Sequence, residues 1–202
     1  METFFQRFVF SDALERKLRM LVDNPEKLPP FTVLHGEPGT GKTSFAKSFA
    51  KLLTDDVIYQ PTNESGIPVD EFNEIKKRMK AISVYRDEIC AFQKVFIFDE
   101  FHNVTKKNQD RFKTVYDEMP NDVRFIFVLN TDVNHGKDLS SVVSPAMFSR
   151  MESINFNVAE WEIDELVVKA QQRFSDVSET VLRAKLPDFR QIERANFWDD
   201  AV

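Results

Sequence analysis

The segment that most constrains how this chain can fold reads Gly36-Glu37-Pro38-Gly39-Thr40-Gly41-Lys42-Thr43. It follows the pattern G-x-x-x-x-G-K-[ST] at every fixed position. An apolar run at 31–34 predicts a buried strand before it, and apolar residues at helical spacing over 42–53 predict a helix after it. Because small residues let backbone N–H groups point into one concavity at a helix N-terminus, this loop is predicted to bind phosphate groups.

Two side chains of the loop have separate predicted roles. Lys42 is expected to place its charge against the β- and γ-phosphates of ATP, and the Thr43 hydroxyl is expected to ligate Mg²⁺. The chain has 5 glycines, and three of them fall in this loop, where the backbone must approach a ligand closely. The predicted nucleotide-binding residues here are Gly36, Glu37, Pro38, Gly39, Thr40, Gly41, Lys42, Thr43 and Ser44.

Two acidic residues end a nearly continuous apolar run. Residues 94–98 are typical of a strand buried on both faces, and Asp99 and Glu100 come directly after it. Asp99 is expected to hold Mg²⁺, and Glu100 is expected to orient and polarise the attacking water. Asn130 ends another apolar run at 124–129 and is expected beside the Asp99 strand, within reach of the γ-phosphate or the water. Together with the phosphate loop, these residues predict ATP hydrolysis.

Strand and helix patterns alternate along most of the chain. Strands are predicted at 31–34, 57–59, 94–98, 123–129 and 153–156, and helices at 11–22, 42–53, 68–82 and 105–119. This alternation predicts an α/β fold with a parallel sheet flanked by helices. In the 68–82 helix, the predicted apolar stripe consists of Phe72, Ile75, Met79 and Ile82.

From residue 159 onward the pattern is helical only. One predicted amphipathic helix carries Trp161, Leu166, Val167, Ala170 and Phe174 on one face, and residues 181–186 predict another. We therefore expect two units: an α/β nucleotide-binding core at 1–158 and a small helical lid at 159–202.

Composition excludes several classes of protein. Hydrophobic residues make up 42% of the chain and aromatic residues 12%, which excludes an intrinsically disordered protein. No apolar run reaches the roughly 20 residues that a membrane span needs, the N-terminus lacks a signal-peptide pattern, and Cys90 is the only cysteine. We expect a soluble intracellular protein with no membrane partner. The net charge of −6 argues against a protein that coats nucleic acid over its whole surface.

Taken together, these segments resemble an AAA+ ATPase, and within that superfamily a clamp-loader ATPase subunit of the replication factor C type. Four passages carry the resemblance: 36–43 is similar to its Walker A, 96–100 to its Walker B, 63–67 to its segment after the second strand, and 144–150 to its Ser-Arg-Cys stretch, with Met151 in place of Cys. The resemblance covers roughly residues 10 to 195. The usual Arg-Pro near the N-terminus is absent, and the sequence ends at Val202 without the family's C-terminal collar.

The resemblance implies further roles and partners. Asn130 falls at the sensor 1 position, Arg150 at the arginine finger that acts on the next subunit, and Arg190 at sensor 2 in the lid. Other AAA+ subunits are the implied partners, in a homo- or hetero-oligomer. Such an assembly would open a sliding clamp and place it on primer-template DNA.

Two lysines after the acidic pair suggest a contact with DNA. Lys106 and Lys107 fall in the first turn of the helix predicted at 105–119. Cations there oppose the helix dipole at about 0.3–1 kcal/mol each, so their placement favours a ligand such as a DNA phosphate.

Other functions are compatible with part of these observations. Residues 99–102 also spell the DExH box of a helicase, but 202 residues leave no room for the second motor domain that such a helicase needs. A protein-remodelling or helicase-loading AAA+ ATPase that forms a closed ring is the main alternative. A scaffold that binds ATP and hydrolyses little is disfavoured by Glu100 and Arg150.

Overall fold

A five-stranded sheet organises the chain in the computed structural model, which describes residues 2–62, 67–83, 90–132 and 136–199. The strands are β1 (Phe31–Gly36), β2 (Val57–Pro61), β3 (Lys94–Asp99), β4 (Val123–Asn130) and β5 (Glu152–Asn155). Their order in the sheet is β2-β3-β4-β1-β5, and every pairing is parallel. The predicted α/β fold with a parallel sheet is confirmed, as is the placement of the Asn130 strand beside the Asp99 strand.

Helices pack on both faces of the sheet. The helices among the described residues are α1 (Glu2–Phe5), α2 (Asp12–Asp23), α3 (Lys42–Leu53), α4 (Val69–Lys80), α5 (Lys106–Gln109), α6 (Phe112–Glu118), α7 (Leu139–Val142), α8 (Pro145–Phe148), α9 (Ile163–Arg173), α10 (Glu179–Lys185) and α11 (Phe189–Asp199). Short 3-10 turns are formed by Pro25–Lys27, Phe101–Asn103 and Glu160–Glu162. The hydroxyl of Ser11 accepts a hydrogen bond from Leu14 N, which explains why α2 begins where the sequence predicts.

The sheet separates two apolar layers. One face contacts α2 and α3 through residues such as Leu34, Phe45 and Ile97. The other face contacts α4 and α6 and is rich in phenylalanine, with Phe98, Phe112 and their neighbours packed ring against ring. Because β3 is buried on both faces along its whole length, its central residues 95–98 are continuously apolar instead of alternating.

The structure corrects three details of the predicted helices. The helix predicted at 68–82 ends at Lys80, and Ile82 lies beyond it with 84% of its surface exposed. Trp161 belongs to the 3-10 turn before α9, so it is out of phase with the buried face of that helix and is 75% exposed. Residues 63–66, which contribute to the predicted clamp-loader resemblance, lie outside the described residues.

The third correction is a break in the helix predicted at 105–119, which is two short helices, α5 and α6. The backbone N–H groups of Lys113 and Thr114 donate to carbonyls three residues earlier, and this tightening separates the two helices. Just before the break, Gln109 is fully buried and its amide donates to the carbonyls of Val104 and Val142. Tertiary hydrogen bonds therefore decide the local geometry here.

The last three helices form their own small apolar cluster. Leu166, Ala170, Leu182 and Ile192 pack together, and Val9 from the N-terminal segment joins them. On this side Lys169 of α9 donates to Phe10 O at 2.8 Å. In the part of the chain that the structure describes, no helix is long and apolar enough to cross a membrane. The division at residue 158 remains a prediction.

Candidate functional site

The parallel sheet brings the ends of three strands to one edge. Gly36 at the end of β1 pairs with Asn130 at the end of β4, and β3 on the other side of β4 ends at Asp99. Residues 39–44, Asp99, Glu100 and Asn130 consequently line a common cavity of about 400 Å³. Gly36, Glu37 and Pro38 are not among the residues that line it. This is the edge at which parallel α/β sheets bind ligands.

Lys42 lies at the floor of this cavity and is 4% exposed. Its ammonium donates to Gly36 O at 3.0 Å and to Glu37 O, so the side chain folds back across the loop. Burial is the main reason that the pKa of Lys42 is lowered to about 8, and the nearby carboxylate of Glu100 opposes that shift. A phosphate group would supply the counter-charge that the carbonyl oxygens supply only in part.

The loop is supported from outside by Asn157, whose side-chain oxygen accepts from Glu37 N at 2.7 Å. Inside the loop, the Thr40 hydroxyl donates to Glu37 O at 3.0 Å. Gly39 and Gly41 have φ of +83° and +87°, in the left-handed region that favours glycine. These contacts shape the loop before any ligand binds.

Thr43 and Asp99 form an oxygen pair suited to Mg²⁺. The Thr43 hydroxyl donates to Asp99 Oδ1 at 3.0 Å. Octahedral ligands about 2.1 Å from a magnesium ion stand about 3 Å apart, so the two oxygens match neighbouring positions. In the described part of the chain, no group of three or more His, Cys, Asp or Glu side chains could hold a metal by itself. The remaining positions would therefore fall to phosphate and water oxygens.

Tyr59 contacts the other oxygen of Asp99, a contact that the sequence reasoning missed. Its hydroxyl donates to Asp99 Oδ2 at 2.6 Å, and the Lys47 ammonium lies 3.7 Å from the centre of its ring. Burial, followed by the hydrogen bond to Asp99, raises the pKa of Tyr59, so the phenol stays a donor. Asp99 is thus held from two sides, with Thr43 on one oxygen and Tyr59 on the other.

Glu100 occupies a strained backbone position directly after β3. Its φ is +55°, and its N–H donates to Asp99 Oδ1 at 3.0 Å. The Thr62 hydroxyl contacts the carbonyl oxygens of Asp99 and Glu100 and holds the turn. Strain of this kind costs about 1–3 kcal/mol and concentrates at functional sites.

Two groups converge on the Glu100 carboxylate. Asn130 Nδ2 donates to Glu100 Oε2 at 3.2 Å, and His102 Nε2 lies 3.2 Å from the same oxygen. The structure therefore brings Glu100 and Asn130 together, as expected, and adds His102. His102 is part of the DExH pattern in the sequence, but that pattern does not indicate which residue His102 contacts.

Residues of α9 and α11 line another side of the cavity. Arg190 lines it, and its charge contributes to the lowered pKa of Lys42. Phe189 N donates to Gly39 O at 3.1 Å, which joins the start of α11 to the phosphate loop. Arg7 and Arg173 also line the cavity, although no sequence pattern identified them. The site thus presents several cations to an anionic ligand.

Arg150, Lys106 and Lys107 are not among the residues that line this cavity. Arg150 follows α8, and its guanidinium donates to Ala146 O at 2.9 Å. Lys106 and Lys107 are exposed on α5, which has 4 residues. The dipole of a single turn is small, so the predicted energetic penalty for these lysines was too large.

Comparisons with known proteins agree with this geometry. Residues 32–158, more than half of the chain, match the family "ATPase family associated with various cellular activities (AAA)". The chain is 30% identical over 130 residues to the DNA polymerase III subunit gamma/tau of Mycoplasma genitalium, a match that covers 55% of this chain and 22% of that protein. It is 29% identical over 167 residues to replication factor C subunit 5 of Mus musculus, covering 77% of this chain and 44% of that protein.

The chain thus spans less than half the length of these curated relatives. Among solved structures, the RuvB Holliday junction branch migration motor of Thermotoga maritima matches with a TM-score of 0.57 at 16% identity. That match covers 87% of this chain and 55% of the other, and it indicates the fold alone. Together these matches confirm the resemblance to AAA+ ATPases related to clamp-loader subunits that the sequence motifs predict.

Proposed function

The chain belongs to the AAA family of ATPases, and we propose that it hydrolyses ATP as one subunit of an oligomeric machine that loads a sliding clamp onto primer-template DNA. The observation that carries the hydrolytic part is the placement of Glu100 beside the oxygen pair of Thr43 and Asp99. The similarity to replication factor C and DNA polymerase III subunits supports the clamp-loading part.

The proposed chemistry divides among residues of the cavity. Lys42 exchanges its carbonyl partners for phosphate oxygens when ATP binds, and Arg190 adds charge from the lid. Thr43 and Asp99 would hold Mg²⁺, and the bound ion would supply positive charge against the phosphates. Glu100 accepts a proton from the attacking water, while Asn130 fixes the carboxylate and reaches toward the γ-phosphate.

A second chain completes the proposed site. Arg150 lies outside the cavity of its own chain, and its contact with Ala146 O holds its guanidinium against α8, which it follows. An arginine that reaches the γ-phosphate of a neighbouring subunit raises turnover by about 10³–10⁵. Hydrolysis would then require assembly, which suits a machine that acts only when its partners are present.

Contact with DNA is the least direct part of the proposal. Lys106 and Lys107 are exposed on α5, which follows the Walker B segment. We expect Lys106→Ala with Lys107→Ala to lower DNA affinity and to reduce its salt dependence. Unchanged affinity and unchanged salt dependence would remove these lysines from the proposal.

ATP turnover tests the proposal as a whole. We expect turnover by the assembled protein to rise when both primer-template DNA and a sliding clamp from the same source are present. Glu100→Gln should abolish turnover while ATP binding persists, which provides the control for contaminating ATPases. Turnover that responds to neither DNA nor clamp would refute the clamp-loading function and favour a remodelling ATPase.

A mixing experiment tests the shared site separately. Glu100→Gln and Arg150→Ala should each lack turnover alone. When mixed, they form some interfaces that combine an intact Glu100 from one chain with an intact Arg150 from the other, so turnover should partly return. Failure of the mixture to recover activity, with assembly verified by light scattering, would contradict the role of Arg150 on the neighbouring subunit.

A further inference from the structure

A histidine lies between the proposed base and the end of β4. His102 belongs to the 3-10 turn Phe101–Asn103 and is half-buried. Its two ring nitrogens face different groups: Nε2 lies 3.2 Å from Glu100 Oε2, and Nδ1 lies 3.3 Å from Asn130 N. The ring therefore joins the two residues expected to handle the attacking water.

The geometry of β4 explains why Asn130 N has a partner on this side. The pairing of β3 with β4 reaches Phe98↔Phe127, and residues 128–130 of β4 extend past it. Thr131 N donates to Gly36 O on the β1 side, so the N–H one residue earlier points toward the β3 side. His102 Nδ1 accepts this N–H where a strand carbonyl would otherwise do so.

This contact determines which ring nitrogen carries the proton. A backbone N–H can only donate, so Nδ1 must present its lone pair, and the proton of the neutral ring is on Nε2. Burial is the main reason that the pKa of His102 is lowered, and Lys42 and Lys137 act in the same direction against Glu100 and Asp99. The neutral ring is thus the favoured form, and its Nε2–H points at the Glu100 carboxylate.

We propose that His102 is a positioning residue, which holds Glu100 ready to activate water by donating Nε2–H to Oε2 and thereby ties the base to the end of β4. The inference rests on the proposed function, because it assigns His102 a task in ATP hydrolysis. Asn130 Nδ2 donates to the same oxygen, so Oε1 is the oxygen that accepts the proton from water. A shift of β4 relative to β3 would therefore alter both hydrogen bonds to Glu100 at once.

Two amide substitutions separate the two ring nitrogens. In His102→Gln the amide reaches the position of Nε2 and can donate to Glu100, whereas in His102→Asn it reaches only the position of Nδ1. We expect His102→Gln to keep kcat within about twofold of wild type and His102→Asn to lower it about tenfold, the effect of one hydrogen bond to a charged group. The KM for ATP and the affinity for a fluorescent ATP analogue should be unchanged in both variants.

Equal kcat values for the two variants, whether near wild type or equally reduced, would overturn the inference. Thermal unfolding of both variants identifies any general loss of structure. If either fails to fold, His102→Ala assayed with added imidazole provides a second measurement: imidazole should restore turnover to this variant and not to Glu100→Gln, and no restoration would overturn the inference. Absence of turnover in every wild-type assembly would instead refute the proposed function, and this inference with it.

Discussion

The contact between the start of α11 and the phosphate loop can be tested at Gly39, with Gly41 as a matched control. Both glycines have a positive φ, +83° and +87° respectively. An alanine at either position therefore carries a similar backbone strain of about 1 kcal/mol. Any difference between the two alanine variants must come from what the added methyl group meets.

The surroundings of the two positions differ sharply. A Cβ at Gly39 would lie 2.0 Å from Asp188 Oδ1 and 2.8 Å from Asp188 Cα, whereas at Gly41 the nearest atom would be Phe10 Cε1 at 3.5 Å. Rotation of the Asp188 side chain removes the first overlap but not the second, which involves backbone at the start of α11. The start of α11 must then move by about 1 Å to reach normal carbon contact, and overpacking of this kind costs about 1–3 kcal/mol.

We therefore expect Gly41→Ala to lower the free energy of unfolding by about 1 kcal/mol and Gly39→Ala to lower it by about 2–4 kcal/mol. Urea unfolding of both variants gives the two free energies of unfolding. The measurement is made without nucleotide, so that phosphate contacts do not contribute to stability. Equal losses of stability in the two variants would refute the conclusion that α11 rests on Gly39.

Two further predictions concern lysines. The pKa of Lys42 is lowered to about 8, mainly by burial, so its ammonium deprotonates in the free protein as pH rises through that value. ATP favours the charged form of Lys42, so the affinity for ATP should fall above this pH, and ATP binding should be accompanied by uptake of a proton. Calorimetry in buffers of different ionisation enthalpy measures this proton uptake. Lys169 donates to Phe10 O and Asp12 Oδ1. Lys169→Met should speed amide hydrogen exchange in α9 and leave the exchange rates of β3 unchanged. Lys185 is exposed, so Lys185→Met should change the exchange rates of neither element. Equal exchange rates in α9 of the wild type and both variants would contradict this prediction.

Local sequence signals were sufficient for the parts of the site that lie on consecutive residues. The helix predicted at 42–53 coincides with α3, and the apolar run before Asp99 coincides with β3, because helical spacing and double-sided burial both leave a direct pattern. The convergence of Asp99 and Asn130 followed from a single rule, that parallel strands end at one edge of the sheet. These features need no knowledge of side-chain orientation.

Contacts between distant residues left no such signal. Tyr59 precedes Asp99 by 40 residues, and their hydrogen bond depends on the register in which β2 pairs with β3. Periodicity fixes which face of a strand is buried but not which polar groups meet across strands. Arg7 and Arg173 reach the cavity because α9 packs against the N-terminal segment. Ile82 and Trp161 fit an apolar period, but α4 ends before Ile82 and α9 begins after Trp161.

The arrangement of these residues suggests how binding and hydrolysis could be controlled separately. Lys42, Thr43 and Arg190 line the cavity within one chain, so on our proposal a single subunit can hold ATP. Glu100 depends on donors from β4 and from the turn after β3. On our proposal, Arg150 is supplied by a neighbouring subunit. Because β4 carries the Asn130 side chain and also donates its Asn130 N–H to His102 Nδ1, a small displacement of this strand would misalign the Glu100 carboxylate without removing any phosphate contact. Subunit contacts that shift β4 would therefore change kcat more than ATP affinity.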